Sequence, residues 1–176
     1  MNYFISGGCK NGKSMYAQQI SKTISNEKRA NLYYVATMIP KDDEDLKRIQ
    51  RHLKDREGWG FETLEIERDL SDYFGALDSR GIYLFDSVTA FLENNMFDKD
   101  YNIDNMAADR CIDQLYNFMD LVGGVVFVSD YIYSDSIKYE ESTELYKKAL
   151  AKVDKALASR CDKVLEVVYG NILEFK

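Results

Sequence analysis

The sequence predicts an α/β fold in which helices cover both faces of a mostly parallel sheet and a C-terminal hairpin adds one antiparallel edge strand. Three observations favour this fold class. A glycine-rich stretch at residues 7–14 lies between a short apolar run and a helical pattern. Short apolar runs then alternate with helical segments along the chain, as βαβ units do. The last apolar run follows its predecessor through Tyr169-Gly170-Asn171, a turn short enough for a hairpin.

Each element is predicted from its own pattern. The strands are expected at residues 3–6, 31–36, 61–66, 82–86, 125–129, 163–168 and 172–175. The helices are expected at residues 13–25, 43–56, 69–77, 88–97, 104–122 and 140–159. Asp42 and Asp43 are candidate N-caps of the second helix. Its apolar positions Leu46, Ile49 and Leu53 are expected on one face.

Composition limits the classes of protein to consider. The chain has 176 residues, of which 45% are hydrophobic, so we expect one globular domain over residues 1–176. A net charge of −7 without a basic block argues against nucleic acid as the partner. Three widely spaced cysteines, with no targeting segment and no apolar run long enough to span a membrane, indicate reduced thiols in a cytoplasmic protein.

The glycine-rich stretch matches the phosphate-binding pattern G-x-x-x-x-G-K-[ST]. Its backbone N–H groups and the following helix N-terminus are expected to bind phosphates. Lys13 would contact the β- and γ-phosphates, and the Ser14 hydroxyl would bind Mg²⁺. The alternative is a glycine turn between strand and helix without a ligand. We assign all eight positions to a nucleotide site: Gly7, Gly8, Cys9, Lys10, Asn11, Gly12, Lys13 and Ser14.

A second acidic ligand is expected at Asp86, which ends the apolar run Ile82-Tyr83-Leu84-Phe85. A carboxylate delivered by a buried strand next to a phosphate loop is the Walker B arrangement, and it would hold Mg²⁺ together with Ser14. The alternative is an ordinary aspartate at a strand end. With the phosphate loop, this pattern predicts a RecA-like P-loop NTPase fold.

The chain contains one histidine, and it lies on the second predicted helix. Arg48, His52 and Arg56 are spaced i, i+4 and i+8, so they share a helix face. The two arginines would hold a triphosphate and would favour the neutral, nucleophilic form of His52. The alternative is a solvated histidine on an exposed face.

A tyrosine-rich loop is predicted at residues 130–139, after the fifth strand. In open α/β sheets, substrates bind beyond the carboxyl ends of the strands, so Tyr131 and Tyr133 are candidates for substrate contact. Tyrosines packed on a surface loop would give the same pattern.

Several stretches together resemble the bifunctional adenosylcobinamide kinase / adenosylcobinamide-phosphate guanylyltransferase family of cobalamin biosynthesis. The matching segments are Ile5-Ser6-Gly7-Gly8 with its Gly-Lys-Ser, Tyr34-Val35-Ala36-Thr37, Arg48-Ile49-Gln50-Arg51-His52 with Arg56, Phe61-Glu62-Thr63-Leu64-Glu65, and Asp86-Ser87-Val88-Thr89 with Asn94. The resemblance covers about the first hundred residues well and the remainder in outline.

The resemblance implies two activities: phosphorylation of adenosylcobinamide, and transfer of GMP from GTP through a histidyl-GMP intermediate. It implies that His52 is the nucleophile, that Lys13 assists catalysis, that GTP or ATP with Mg²⁺ and a corrinoid are the ligands, and that the protein is a homotrimer. Beyond the glycine loop, we assign the nucleotide site to Thr37, Arg48, Lys54, Arg56, Glu65 and Asp86.

The C-terminal third departs from the family pattern. The family loop Asn-Glu-Val-Gly-x-Gly-x-x-Pro is replaced by Ser129-Asp130-Tyr131-Ile132-Tyr133-Ser134-Asp135, and the last helix lacks the family's Arg-x-Phe-Arg-Asp. Two alternatives therefore stay open. One is a P-loop kinase acting on another small acceptor, and the other is a GTP- or ATP-binding protein without a corrinoid site.

Overall fold

A computed structural model describes residues 1–133 and 137–176, and the side chains of Arg48, His52 and Asp55 lie outside the described part. The strands are β1 (Tyr3–Gly7), β2 (Leu32–Ala36), β3 (Phe61–Glu65), β4 (Ile82–Asp86), β5 (Gly124–Asp130), β6 (Lys163–Val168) and β7 (Asn171–Glu174). The α-helices are α1 (Lys13–Lys28), α2 (Asp43–Asp55), α3 (Val88–Met96), α4 (Ala107–Leu121) and α5 (Glu141–Arg160). A 3₁₀ helix covers Leu70–Ala76, within the helical segment predicted at residues 69–77.

The described strands form one sheet in the order β3-β2-β4-β5-β1-β6-β7. Strands β1 to β6 run parallel, and β7 pairs antiparallel with β6. This arrangement confirms the predicted sheet and its edge hairpin. Helix α1 packs on one face around Ala17, Ile5 and Leu84. Helices α3, α4 and α5 cover the other face, where Phe85 and Phe127 are fully buried.

Helix α2 begins at the predicted N-cap, and two leucines of its apolar face are exposed. The Asp42 side chain caps the helix by accepting hydrogen bonds from the Glu44 and Asp45 N–H groups, both at 2.9 Å. Leu46 and Leu53, which share a face of the predicted helix, are 46% and 49% exposed. They are exposed because α2 lies over a cavity at the carboxyl edge of the sheet.

Helix α5 buries one side against the sheet. Val153 and Leu157 are buried, and Leu145 and Ala149 are partly buried. The remaining buried positions include two charged residues, Lys147 and Asp154. Of the helices in the described ranges, none has the length and apolar character needed to cross a membrane.

Candidate nucleotide-binding site

The carboxyl ends of the six parallel strands lie along one edge of the sheet. In the strand register, Gly7 lies beside Asp130, and Ala36 lies between Glu65 and Asp86. This edge therefore carries both the glycine loop and the two assigned acids, Glu65 and Asp86. It is also the edge at which open α/β sheets bind ligands.

The glycine loop joins β1 to α1 with the geometry that the motif requires. Gly12 is the N-cap of α1 with φ 86°, a left-handed conformation that favours glycine. It has no side chain to cap the first-turn N–H groups, so these donors remain available to an anion. A Cβ at Gly7 would lie 2.6 Å from the Val167 carbonyl oxygen, so the loop start fits closely against β6.

Lys13 is buried and points to the end of β5. Its Nζ lies 2.5 Å from Asp130 Oδ1 and donates a hydrogen bond of 3.2 Å to the Gly8 carbonyl oxygen. The backbone of Asp130 is held by Thr89, whose Oγ1 accepts a 2.8 Å hydrogen bond from the Asp130 N–H. From sequence, Asp130 was predicted only to begin a tyrosine-rich loop. Its position at the end of a strand was the signal that could have identified it.

A cavity of about 570 Å³ opens at this edge. Four residues assigned from sequence line it: Ser14, Arg56, Glu65 and Asp86. Tyr34 and Asp130, which the sequence analysis did not assign to the nucleotide site, line it as well. Most of its charged residues are acidic, and one basic residue, Lys41, is paired with Glu93 at 2.5 Å. A triphosphate in this cavity would therefore depend on Lys13, Arg56 and any bound cation.

Asp86 is tied to strand β2 through Tyr34. The Tyr34 hydroxyl donates a 3.0 Å hydrogen bond to Asp86 Oδ2. Burial and the nearby Asp86 charge raise the pKa of Tyr34 well above its usual range, so the hydroxyl stays a donor. The Asp86 carboxylate can accept further partners. Together with the Ser14 hydroxyl it offers the oxygen ligands that Mg²⁺ prefers, so these residues fit that ion.

Arg56 is buried beside the same tyrosine. Its Cζ lies 3.4 Å from the Tyr34 ring centroid, and the residue is 7% exposed. Its Nη1 is buried and has no hydrogen-bond partner among the described residues. Because buried donors are normally paired, this group is available for an anionic ligand.

Thr37, assigned from sequence, is fully buried and joins the ends of β2 and β4 without lining the cavity. Its hydroxyl donates to the Ser87 carbonyl oxygen and accepts from the Ser87 N–H, both at 2.8 Å. Asn94 Nδ2 donates to the Thr37 carbonyl oxygen at 2.7 Å and to the Glu67 carbonyl oxygen at 2.9 Å. These bonds fix the ends of β2 and β4 relative to α3.

Other assigned residues lie outside the cavity or outside the described part. Lys54 is exposed on α2, and no contact of its side chain with the cavity is seen among the described residues. Cys9 and Lys10 are exposed in the glycine loop. Asn11 Nδ2 donates to the Val167 carbonyl oxygen at 3.3 Å. The side chains of Arg48 and His52 are not described, so their predicted roles stay predictions.

The tyrosine-rich loop begins beside this site. Tyr131 and Tyr133 pack edge to face, with ring centroids 4.9 Å apart. The Tyr133 hydroxyl donates a 3.0 Å hydrogen bond to Asp154 Oδ2 on α5. Burial raises the pKa of Asp154 to about 7. Residues 134–136 of the predicted loop lie outside the described residues, so the substrate role of this loop stays a prediction.

The sheet order and the glycine loop between β1 and α1 define a RecA-like P-loop nucleotide-binding fold. Solved structures with the same architecture agree. A KaiC-like protein, PH0186 from Pyrococcus horikoshii OT3, aligns with a TM-score of 0.56 at 11% identity, over 99% of this chain and 78% of that one. The flagellar accessory protein FlaH from Methanocaldococcus jannaschii aligns with a TM-score of 0.51 at 13% identity, over 99% and 77%.

The family to which this chain belongs is identified by a match to its sequence. The model of the CobU family, described as cobinamide kinase / cobinamide phosphate guanyltransferase, matches residues 3–175, and the chain belongs to that family. Members are transferases with kinase and guanylyltransferase activities. No curated protein matches the chain. The family match extends through the C-terminal third, where the motif resemblance was weakest.

Proposed function

We propose that this protein phosphorylates adenosylcobinamide and transfers GMP from GTP to the resulting phosphate through a histidyl-GMP intermediate on His52. The observation that carries the proposal is the convergence of Ser14 from the phosphate-loop motif, Asp86 and a buried Arg56 on one cavity, in a chain of the CobU family. The chain has one histidine, so no other residue can form that adduct.

Helical spacing supports the placement of His52. Asp45, Ile49 and Arg56 line the cavity from helix α2 and its C-terminal end. Position 52 lies three residues after position 49 and four before position 56. Positions with this spacing fall in one row along a helix. A nucleophile from this row would meet a triphosphate held by the glycine loop.

In the guanylyl step, an imidazole nitrogen of His52 attacks the α-phosphorus of GTP. The bond between this phosphorus and the bridging oxygen to the β-phosphate breaks, and pyrophosphate leaves. An oxygen of adenosylcobinamide phosphate then attacks the same phosphorus, the P–N bond breaks and His52 is regenerated. Arg56 is placed to neutralise phosphate charge during both displacements, because its Nη1 lacks a partner among the described residues.

In the kinase step, the acceptor alcohol attacks the γ-phosphorus of GTP or ATP, the bond to the bridging oxygen of the β-phosphate breaks, and the alcohol proton passes to solvent. Lys13 and the first-turn N–H groups of α1 orient the phosphates and stabilise their charge. Ser14 and Asp86 would hold Mg²⁺, which would supply positive charge to offset that of the phosphates.

The protein is proposed to act as a homotrimer of a single nucleotide-binding domain in the cytoplasm. The exposed leucines of α2, Leu46 and Leu53, support an assembly in which a neighbouring subunit covers this helix. Replacing Leu53 by Glu would then shift a trimer towards monomer in analytical ultracentrifugation. Wild-type protein that sediments as a monomer would contradict the assembly.

The proposed chemistry is tested by label transfer. The protein is incubated with Mg²⁺ and GTP labelled at the α-phosphate, then denatured and assayed for an acid-labile, base-stable adduct. His52→Ala should abolish the label. Arg51→Ala, an exposed neighbour on the same helix, should retain it. Addition of adenosylcobinamide phosphate should then discharge the labelled protein.

The alternatives give different results. Without any adduct, but with measured GTP binding, the guanylyl step is excluded and a kinase of another acceptor or a nucleotide-binding protein remains. An adduct that the corrinoid phosphate does not discharge identifies a guanylyltransferase with a different acceptor. GTP labelled at the γ-phosphate, incubated with adenosylcobinamide, tests the kinase step independently.

A further inference from the structure

Tyr34 contacts both the proposed metal ligand and the proposed phosphate-binding cation. Its hydroxyl donates to Asp86 Oδ2 at 3.0 Å, and its ring lies 3.4 Å from Arg56 Cζ. We propose that Tyr34 is a positioning residue that sets the Mg²⁺ requirement through Asp86 and the triphosphate affinity through Arg56. This inference rests on the proposed function, since it assumes that a Mg²⁺–nucleotide occupies the cavity.

The side chain is held firmly enough to position both partners. Tyr34 is 5% exposed on the interior strand β2, and its backbone pairs with Thr63 on one side and Leu84 on the other. Its ring also packs edge to face on Phe61, with centroids 6.1 Å apart. Since the next residue on the same face of β2, Ala36, lies beside Asp86, the ring reaches along the strand to that carboxylate.

The Tyr34 hydroxyl orients the Asp86 carboxylate. Groups that donate hydrogen bonds to metal-binding carboxylates orient them, and their loss typically weakens metal binding by about ten- to a hundredfold. One oxygen of Asp86 is fixed by Tyr34, so the carboxylate plane is defined before a cation arrives. Removing only the hydroxyl should therefore raise the Mg²⁺ concentration needed for nucleotide binding.

The Tyr34 ring positions the Arg56 guanidinium. A planar guanidinium stacks on an aromatic face and keeps its N–H groups free at the edge, which an ammonium could not do in the same way. The buried Nη1 of Arg56, without a partner among the described residues, is such an edge group. Loss of the ring should therefore weaken triphosphate binding even when Mg²⁺ is saturating.

Two substitutions separate these effects. Tyr34→Phe removes the hydroxyl and keeps the ring, and Tyr34→Leu removes both. Binding of the fluorescent analogue mant-GTP is measured over a series of Mg²⁺ concentrations. Tyr34→Phe should raise the half-maximal Mg²⁺ concentration by about tenfold, with unchanged affinity at saturating Mg²⁺. Tyr34→Leu should in addition weaken that affinity by about three- to tenfold.

Three controls exclude a merely structural role. Tyr33→Phe removes a hydroxyl from the adjacent residue, whose partner is the half-buried Asp78, and should leave the Mg²⁺ dependence unchanged. In an Asp86→Asn background, Tyr34→Phe should have no further effect, because the partner through which it acts is gone. In an Arg56→Gln background, Tyr34→Leu should likewise lose its separate effect on affinity.

The outcomes separate this proposal from the one on which it rests. Wild-type protein that does not bind mant-GTP at any Mg²⁺ concentration overturns both. Wild-type binding together with an unchanged Mg²⁺ dependence in Tyr34→Phe overturns the role of Tyr34 alone. A Tyr34→Phe effect that persists undiminished with Asp86→Asn also overturns it. Thermal unfolding is measured for each variant. If Tyr34→Leu does not fold, the proposal is tested by Tyr34→Phe and its double-mutant cycle with Asp86→Asn.

Discussion

Lys13 Nζ lies 2.5 Å from Asp130 Oδ1, so the lysine of the glycine loop is paired with a carboxylate at the end of the adjacent strand β5. A triphosphate must compete with this carboxylate for the lysine. Once the triphosphate has displaced Asp130 from Lys13, the carboxylate would lie near the γ-phosphate and repel it. Asp130 is therefore expected to lower the affinity for nucleotide.

Asp130→Asn should tighten the binding of mant-GTP by about three- to tenfold, because the neutral amide releases Lys13 and removes the repulsion. Titrations at fixed Mg²⁺ concentration measure this change. Asp109→Asn is the matched control, since it breaks an ion pair of equal length, to Lys152, on the exposed surface. Weaker binding in Asp130→Asn would mean that the carboxylate orients Lys13 for the phosphates.

Asn94 joins two carbonyl groups at the back of the cavity. Asn94→Ala would leave the carbonyl oxygens of Thr37 and Glu67 without this donor. Unpaired buried acceptors are costly, so the free energy of unfolding should fall by about 2–4 kcal/mol in urea denaturation. Asn95→Ala loses one hydrogen bond, to the Phe91 carbonyl oxygen within α3, so its free energy of unfolding should fall by much less. Equal losses would show that the cavity wall does not depend on Asn94.

Gly7 has no room for a side chain. A Cβ there would lie 2.6 Å from the Val167 carbonyl oxygen, which belongs to the backbone and cannot rotate away. Gly7→Ala should therefore displace the start of the phosphate loop and abolish mant-GTP binding, with a lower melting temperature. Gly75→Ala is the control, because nothing lies within 4 Å of its added Cβ. Retained binding in Gly7→Ala would show that β6 adjusts without moving the loop.

The fold could be predicted because its signals are local. Strands β4 and β5 are buried on both faces, so they read as continuous apolar runs, and the glycine motif fixed the first β–loop–α unit. The buried face of α2 could not be predicted. Periodicity shows that Leu46 and Leu53 share a face, but it cannot show whether that face meets a sheet, a cavity or another subunit.

Four residues that motifs assigned from sequence line the cavity: Ser14, Arg56, Glu65 and Asp86. Their role at a nucleotide site stays a prediction. Tyr34 and Asp130 were missed because their roles depend on which strands are neighbours, and on the register that sets Ala36 beside Asp86 and Gly7 beside Asp130. No periodic pattern in a single sequence contains that information. The role of His52 stays a prediction until the label-transfer experiment.

Asp154 makes stability depend on pH. Its ordinary pKa of 3.8 is raised to about 7 in the folded chain, first because the residue is buried, so the folded state binds this proton more tightly than the unfolded state. Its contribution to stability is therefore fully present below about pH 4 and is lost as the pH rises to about 7. The loss is on the order of a few kcal/mol.

Asp154→Asn removes this titration and keeps an oxygen that can accept from the Tyr133 hydroxyl. The melting temperature should rise by several degrees relative to wild type at pH 8, where the wild-type carboxyl is ionised, and should change little at pH 4. Asp113→Asn on the exposed surface of α4 controls for the loss of one negative charge. An equal shift at both pH values would show that Asp154 acts through packing, since only a buried ionisation makes the difference grow with pH.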